Sequence, residues 1–244
     1  MNNEILIGPN NISGKVIEPV GNSLQVVCFM IHGLTGNMTG FNVLASELSE
    51  RGITSVMFNC RGAGQLQVSL TIDSMIEDIR DAYQFANTRY KNSKFVVVAR
   101  GIGALASLIA LKQNVNIFMK IYWAGIFYTR TEVEIEYQRL AGQIKSKGIA
   151  EIITPSKIYK ISSSYLESLK CKEYIAHKYV NEKDNLIIIH PEHDEVSLLS
   201  SVEEFIRNIG TGVKRKLITI PEATHPIIHG REYIDQTLKE IASL

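Results

Sequence analysis

The sequence has little of what marks a nucleic-acid binder, a secreted protein or a membrane protein. One tryptophan in 244 residues and a net charge of +1 leave no basic stripe with interleaved aromatics, so no nucleic-acid partner is expected. The three cysteines, Cys28, Cys60 and Cys171, are odd in number, scattered and without a C-x-x-C pair, the usage expected of reduced thiols. The first residues, Met1-Asn2-Asn3-Glu4, show no basic segment leading into an apolar one. No apolar run approaches the roughly 18 residues of a membrane span. A cytoplasmic protein with no membrane partner is the expectation.

What is present is a large apolar fraction. At 45% hydrophobic over 244 residues, the chain can bury the core of one sizeable α/β domain spanning residues 1–244. Its organising stretch is Phe95 to Leu111. Phe95-Val96-Val97-Val98 is too short for a buried helix and too continuous for a half-exposed strand, so it reads as a strand buried on both faces. Ala99-Arg100-Gly101-Ile102-Gly103 is a tight turn, and the small apolar residues from Ala104 suit a helix packed closely on that strand.

The rest of the chain alternates in the same way. Two short apolar arms around Gly8-Pro9-Asn10-Asn11 predict a hairpin. Strands are predicted over Gln25–Ile31, Ile53–Phe58, Lys120–Ile126, Leu186–Ile189 and Arg215–Ile220. Helical spacing appears in Phe41, Leu44, Ala45 and Leu48, closed by Arg51-Gly52, and in Met75, Ile76, Ile79, Ala82, Tyr83 and Ala86 behind a capping-box pattern at Ser74-Met75-Ile76-Glu77. A closing amphipathic helix is predicted over Arg231–Leu244. Between about 130 and 183 the rhythm breaks into charged and polar helical stretches, Glu132 to Lys147 and Tyr165 to Tyr179. The predicted fold class is α/β, a doubly wound and mostly parallel sheet with the hairpin antiparallel at its edge.

Strand, sharp turn and buried helix at 95–111 resemble the nucleophile elbow of the α/β-hydrolase family, whose pattern is G-x-S-x-G. Ala99 stands in the first glycine position and Gly103 in the last, so Gly101 occupies the nucleophile position, as a natural residue or an introduced one. Asn59-Cys60-Arg61-Gly62-Ala63-Gly64 resembles the family's D-x-R-G-x-G turn with asparagine for the acid. His190-Pro191-Glu192-His193-Asp194 and Pro221-Glu222-Ala223-Thr224-His225 fall where the family carries its triad acid and histidine, in the family's order. His32-Gly33-Leu34-Thr35-Gly36-Asn37 and the interruption at 130–183 resemble small esterases of the cinnamoyl-esterase and acyl-thioesterase kind, and the resemblance implies a lid at the interruption.

The resemblance implies a site. Asp194 and His225 are its acid and base, the Leu34 and Ile102 amides its oxyanion hole, and Arg100 and His32 its contacts to substrate. No cofactor is implied, and the partner is a small acyl ester or thioester. With glycine at the elbow, hydrolysis is expected to be weak or absent. Two other readings stay open: a non-hydrolytic His-Asp dyad enzyme (lyase, cyclase or cofactor-free oxygenase), and a pseudoenzyme that binds without turnover. His190, His193, Asp194, His225 and His229 form a cluster larger than the family needs. Imidazoles at H-x-x-H beside a carboxylate can ligate zinc, but that spacing on a loop fixes no geometry, so no metal is expected. Cys60 lies on another turn and reads as a packed thiol rather than a substitute nucleophile.

Overall fold

The apolar runs form strands because nothing in them can face water. The computed structural model describes residues 2–62, 71–114, 116–127, 130–153, 158–170, 175–225 and 230–242. In chain order the first elements are β1 (Asn2–Ile7), β2 (Ile12–Ile17), β3 (Val26–Ile31), α1 (Asn42–Glu50), β4 (Thr54–Phe58), α2 (Ile72–Arg89), β5 (Lys94–Arg100), α3 (Ile102–Ala110) and β6 (Ile117–Trp123). There follow α4 (Arg130–Lys147), β7 (Ala150–Ile153), β8 (Ile158–Ile161), α5 (Ser163–Lys170), β9 (Asn185–His193), α6 (Leu199–Asn208), β10 (Lys214–Thr224) and α7 (Arg231–Ile241). Gly8 and Asn11 turn the first hairpin at positive φ, 66° and 49°, where glycine and asparagine are tolerated.

Eight strands form one sheet in the order β1-β2-β4-β3-β5-β6-β9-β10. β2 runs antiparallel to both neighbours, while β4, β3, β5, β6, β9 and β10 pair in parallel. Alternate residues feed two apolar layers. Phe29, Val97, Tyr122 and Ile188 join α2, α3 and α6 on one face, and Met30, Val98, Trp123 and Ile189 join α1 and α7 on the other. Helices on both faces explain why β3 and β4 are buried along their whole length.

The structure moves several predicted boundaries. The cap of α2 is Thr71 rather than Ser74: the Thr71 side chain accepts from Ser74 N–H, and the Ser74 side chain accepts from Thr71 N–H. Ser74 therefore closes the capping box from inside the helix. The sixth strand begins at Ile117 and stops at Trp123, short of the expected Ile126, because Ala124 takes φ 44° and turns the chain out of the sheet. In the 130–183 stretch the polar helix is divided into α5 and a 3-10 turn, Ala176–Tyr179, and β7 and β8 pair as a separate antiparallel ribbon. Leu140, Ala150, Ile161, Tyr165 and Ala176 are buried in the same layer as α2 and α3, so this stretch is packed onto the sheet's helical cover. The closing helix α7 ends at Ile241, and residues 243–244 lie outside the described part. Among the described residues, no helix is long and apolar enough to cross a membrane.

Candidate active site

The carboxyl ends of the parallel strands gather every described residue that the resemblance singles out. Gly101 sits between β5 and α3 at φ 54° and ψ −128°, a backbone region that a residue with a Cβ enters only under strain. The turn is held by Gly101 N–H, which donates to Trp123 O at 3.1 Å. Two neighbouring glycines allow it to pack. A Cβ on Gly33 would come within 3.1 Å of Arg100 O, and one on Gly103 within 2.6 Å of His32 O. The loop after β3 thus lies directly on the elbow, backbone against backbone.

The two amides expected to face an oxyanion are oriented by their carbonyl partners. In a trans peptide the C=O and the next N–H point in opposite directions, so fixing one aims the other. Gly33 O accepts from His32 Nδ1–H at 2.7 Å and from Gly36 N–H at 3.0 Å, which sets the plane that carries Leu34 N–H. Gly101 O accepts from Ala104 N–H and from Ile126 N–H, both at 3.0 Å, which sets the plane that carries Ile102 N–H at the start of α3.

His32 is buried, and its Nε2 accepts from Cys60 N–H at 2.9 Å. A carbonyl on one nitrogen and an amide donor on the other fix the neutral Nδ1–H tautomer, and burial pushes the imidazole below its ordinary pKa. The ring ties the loop after β3 to the turn after β4 and has no nitrogen left over for a ligand. That second turn is itself braced. Asn59 Oδ1 accepts from Met38 N–H at 2.8 Å, and Arg61 makes bonds of 2.7 Å from both its backbone N–H and its Nε to the buried Asp78. Ala63 and Gly64 of the same motif lie outside the described residues.

Asp194 follows β9, and His225 follows β10. His225 Nδ1 donates to Asp194 Oδ2 at 2.9 Å, while Asp194 Oδ1 accepts from Val196 N–H and Ser197 N–H, both at 2.8 Å. The Asp194 carboxylate is fully buried and the His225 imidazole slightly exposed. Arg100 is half-buried beside the elbow, and the charges of Arg100 and Asp194 both act on the Tyr233 hydroxyl of α7, in opposite senses.

Ser197 and Ile126 do structural work at the site that the sequence reading did not assign. Ser197 Oγ donates to Gly125 O at 2.8 Å, next to the Ile126 amide that holds Gly101 O. The D-x-x-S spacing from Asp194 is the signal for such a turn, a carboxylate receiving the amides two and three residues on. His193 is exposed, His229 lies outside the described residues, and among the described residues no group of three or more His, Cys, Asp or Glu is placed to hold a metal. Cys60 and Cys28 are buried free thiols whose pKa burial pushes up, which makes them poor nucleophiles; Cys171 lies outside the described residues. A cleft of about 540 Å³ opens at the other end of the sheet, among the first residues of β5, β6, β9 and β10, and none of the candidate catalytic residues borders it.

Comparison with known proteins agrees with this architecture. No curated protein sequence matches the chain. Among solved structures, it is similar to Est1E from Butyrivibrio proteoclasticus with ferulic acid bound, at a TM-score of 0.75 and 17% identity over 99% of this chain and 97% of that one. It is also similar to an alpha-beta serine hydrolase homologue from Coxiella burnetii, at a TM-score of 0.67 and 19% identity over 99% and 98% of the two chains. A monoacylglycerol lipase from Paleococcus ferrophilus matches at a TM-score of 0.72 and 12% identity over 95% and 98%. The model of the family described as serine aminopeptidase, S33, matches residues 22–184, and the chain, an α/β-hydrolase fold throughout, belongs to that family.

Proposed function

We propose that the chain is an esterase-type α/β hydrolase for a small acyl ester or thioester, with glycine at the nucleophile position. The observation that carries this reading is the Asp194–His225 pair, kept at 2.9 Å with both oxygens of the buried carboxylate satisfied, on the same end of the sheet as an elbow at φ 54°. Asp194 orients the imidazole and stabilises its charged form, His225 serves as base, and the Leu34 and Ile102 amides stabilise the oxyanion. Arg100 meets an anionic substrate group, and the 130–183 stretch acts as the lid of a single domain. The ferulic acid held by Est1E, an aromatic acid of modest size, supports a small acyl ligand here. Without a serine hydroxyl no acyl-enzyme forms, and the residual rate from oxyanion hole and binding is about 10³- to 10⁴-fold over water.

Testing this needs the chain as it is and Gly101→Ser, each assayed on a panel of p-nitrophenyl and acyl-CoA esters. Ester or thioester turnover gained with serine supports the reading. Absence of activity in both forms, with none of the esters bound, sinks it and leaves the pseudoenzyme.

A second reading is favoured by the intact hydrogen bonding of Asp194. A dyad with two amides beside it can remove a proton and stabilise an enolate with no covalent step, as a lyase, cyclase or cofactor-free oxygenase would. Incubation with cell extract and mass spectrometry of bound and converted compounds, compared with His225→Ala, separates the two. Conversion that needs His225 but is blocked by Gly101→Ser belongs to the second.

A further inference from the structure

His190 is a histidine for which the esterase reading has no use, and it is fully buried. Its Nε2 lies 2.7 Å from Ser197 O, which can only accept, so Nε2 carries the proton. The same nitrogen lies 3.7 Å from Asp194 Oδ2, the oxygen that receives His225. Its Nδ1 has no hydrogen-bond partner among the described residues. A leucine would fill this place without an orphaned nitrogen, so the imidazole is kept for what its N–H does.

That N–H closes a turn. Ser197 donates its amide to Asp194 Oδ1, takes the His190 proton on its carbonyl and donates its hydroxyl to Gly125 O, beside the amide that holds Gly101 O. Each polar group of Ser197 is therefore tied to a different part of the site. We propose that His190 is a positioning residue for the acid–base pair, holding the 194–197 turn through the Ser197 carbonyl and thereby fixing the carboxylate oxygen on which His225 is hung. The proposal rests on the reading of Asp194 and His225 as acid and base. The charged or titratable groups acting on His190 are Asp194 and His225, and burial keeps its ring neutral, with its single proton on the nitrogen facing Ser197.

The test uses the whole chain, and its first readout needs no turnover. The His225 Nδ1 proton bonded to a carboxylate gives a far-downfield proton NMR signal, assigned by its loss in His225→Gln. Asp194→Asn removes the signal if the pair is real. His190→Leu is expected to remove or broaden it in a protein that still melts cooperatively. His190→Gln, whose amide reaches as far as Nε2, retains it; His190→Asn, which falls short of Ser197 O, does not. If the leucine variant fails to fold, the glutamine and asparagine pair decides. In the Gly101→Ser background, kcat falls by on the order of tenfold or more in His190→Asn with KM little changed, and His190→Gln restores it. A folded His190→Asn with an unaltered signal and unaltered kcat overturns the proposal while leaving the pair intact. A signal that survives Asp194→Asn overturns the underlying reading instead.

Discussion

Gly33 and Gly101 face each other across the elbow: a Cβ on Gly101 would lie 3.9 Å from Gly33 Cα, an ordinary contact, and would meet no other atom within 4 Å beyond its chain neighbours. Among the described residues, space therefore does not oppose a side chain there; backbone conformation does. Gly101→Ser and Gly101→Ala should both fold and both lose about 1–3 kcal/mol of stability, the cost of holding a substituted residue at positive φ. Urea denaturation of the three proteins measures it. A serine variant as stable as the glycine protein contradicts the strain argument.

Gly103 is the opposite case. A Cβ there would stand 2.6 Å from His32 O and 3.2 Å from Ile31 O, both backbone atoms that cannot move aside cheaply. Gly103→Ala should cost about 1–3 kcal/mol or more by overpacking and push the Gly33–Leu34 peptide out of line. Combined with Gly101→Ser, it should abolish any ester hydrolysis that serine confers. Full retention of that activity shows that the two turns are not in rigid contact.

Stability should fall on mild acidification. His32 and His190 are both held below their ordinary pKa by burial. The unfolded chain, with ordinary histidines near 6.5, therefore binds protons first as the pH drops, and the folded state loses ground from about 6.5 down to the folded pKa. Each histidine contributes a slope of up to about 1.4 kcal/mol per pH unit in that window and none above it. Urea midpoints at pH 8, 7, 6 and 5.5 give the profile, and one that stays flat below 6.5 refutes the assignment of neutral buried rings.

At the far end of the sheet, Lys120 on β6 reaches Asp184 at 2.7 Å with both side chains buried, and Asp184 also accepts from Asn181 N–H at 2.9 Å. This pair fastens the chain where it re-enters the sheet at β9. Lys120→Met should cost about 3–5 kcal/mol because it leaves a buried carboxylate without its counter-charge. Adding Asp184→Asn should recover part of the loss, which a double-mutant cycle by thermal or urea unfolding detects. A single variant near neutral, below about 1 kcal/mol, means that water already reaches Asp184.

The strands were legible in the sequence because a run such as Phe95 to Val98 has no other way to satisfy burial, and the elbow because two glycines, Gly101 and Gly103, stand between that run and a small apolar helix. The pairing of Asp194 with His225 was legible only through a resemblance, since nothing local in either loop says that they meet. The end of β6 was misread because Lys120 to Ile126 is apolar enough to continue, and the positive φ of Ala124 is imposed by the bonds Ala124 N–H to Ile189 O and Ile126 N–H to Gly101 O, which exist only in the folded sheet. Thr71 and Ser74 are both good cap residues three positions apart, and the sequence does not say which one is outside the helix. Helix α6 left a signal that was not taken up, Val202, Phe205, Ile206 and Ile209 at helical spacing after the acid loop. The roles of His190 and Ser197 depend on register between β9 and its turn, which composition cannot supply.

The order of the strands also sets the order in which the site comes together. β5 is paired on both sides, with β3 and with β6, whereas β10 hangs on β9 alone at the margin of the sheet. β10 can pair only once β9 is in the sheet, so the elbow and its amides can be in place before Asp194 and His225 meet. The same asymmetry governs loss: amides of Lys214 to Ile220 should exchange with solvent faster than those of Phe95 to Ala99, and His225 should part from Asp194 in partial openings that the elbow survives. Heat or denaturant would then undo the proposed acid–base pair before it melts the fold.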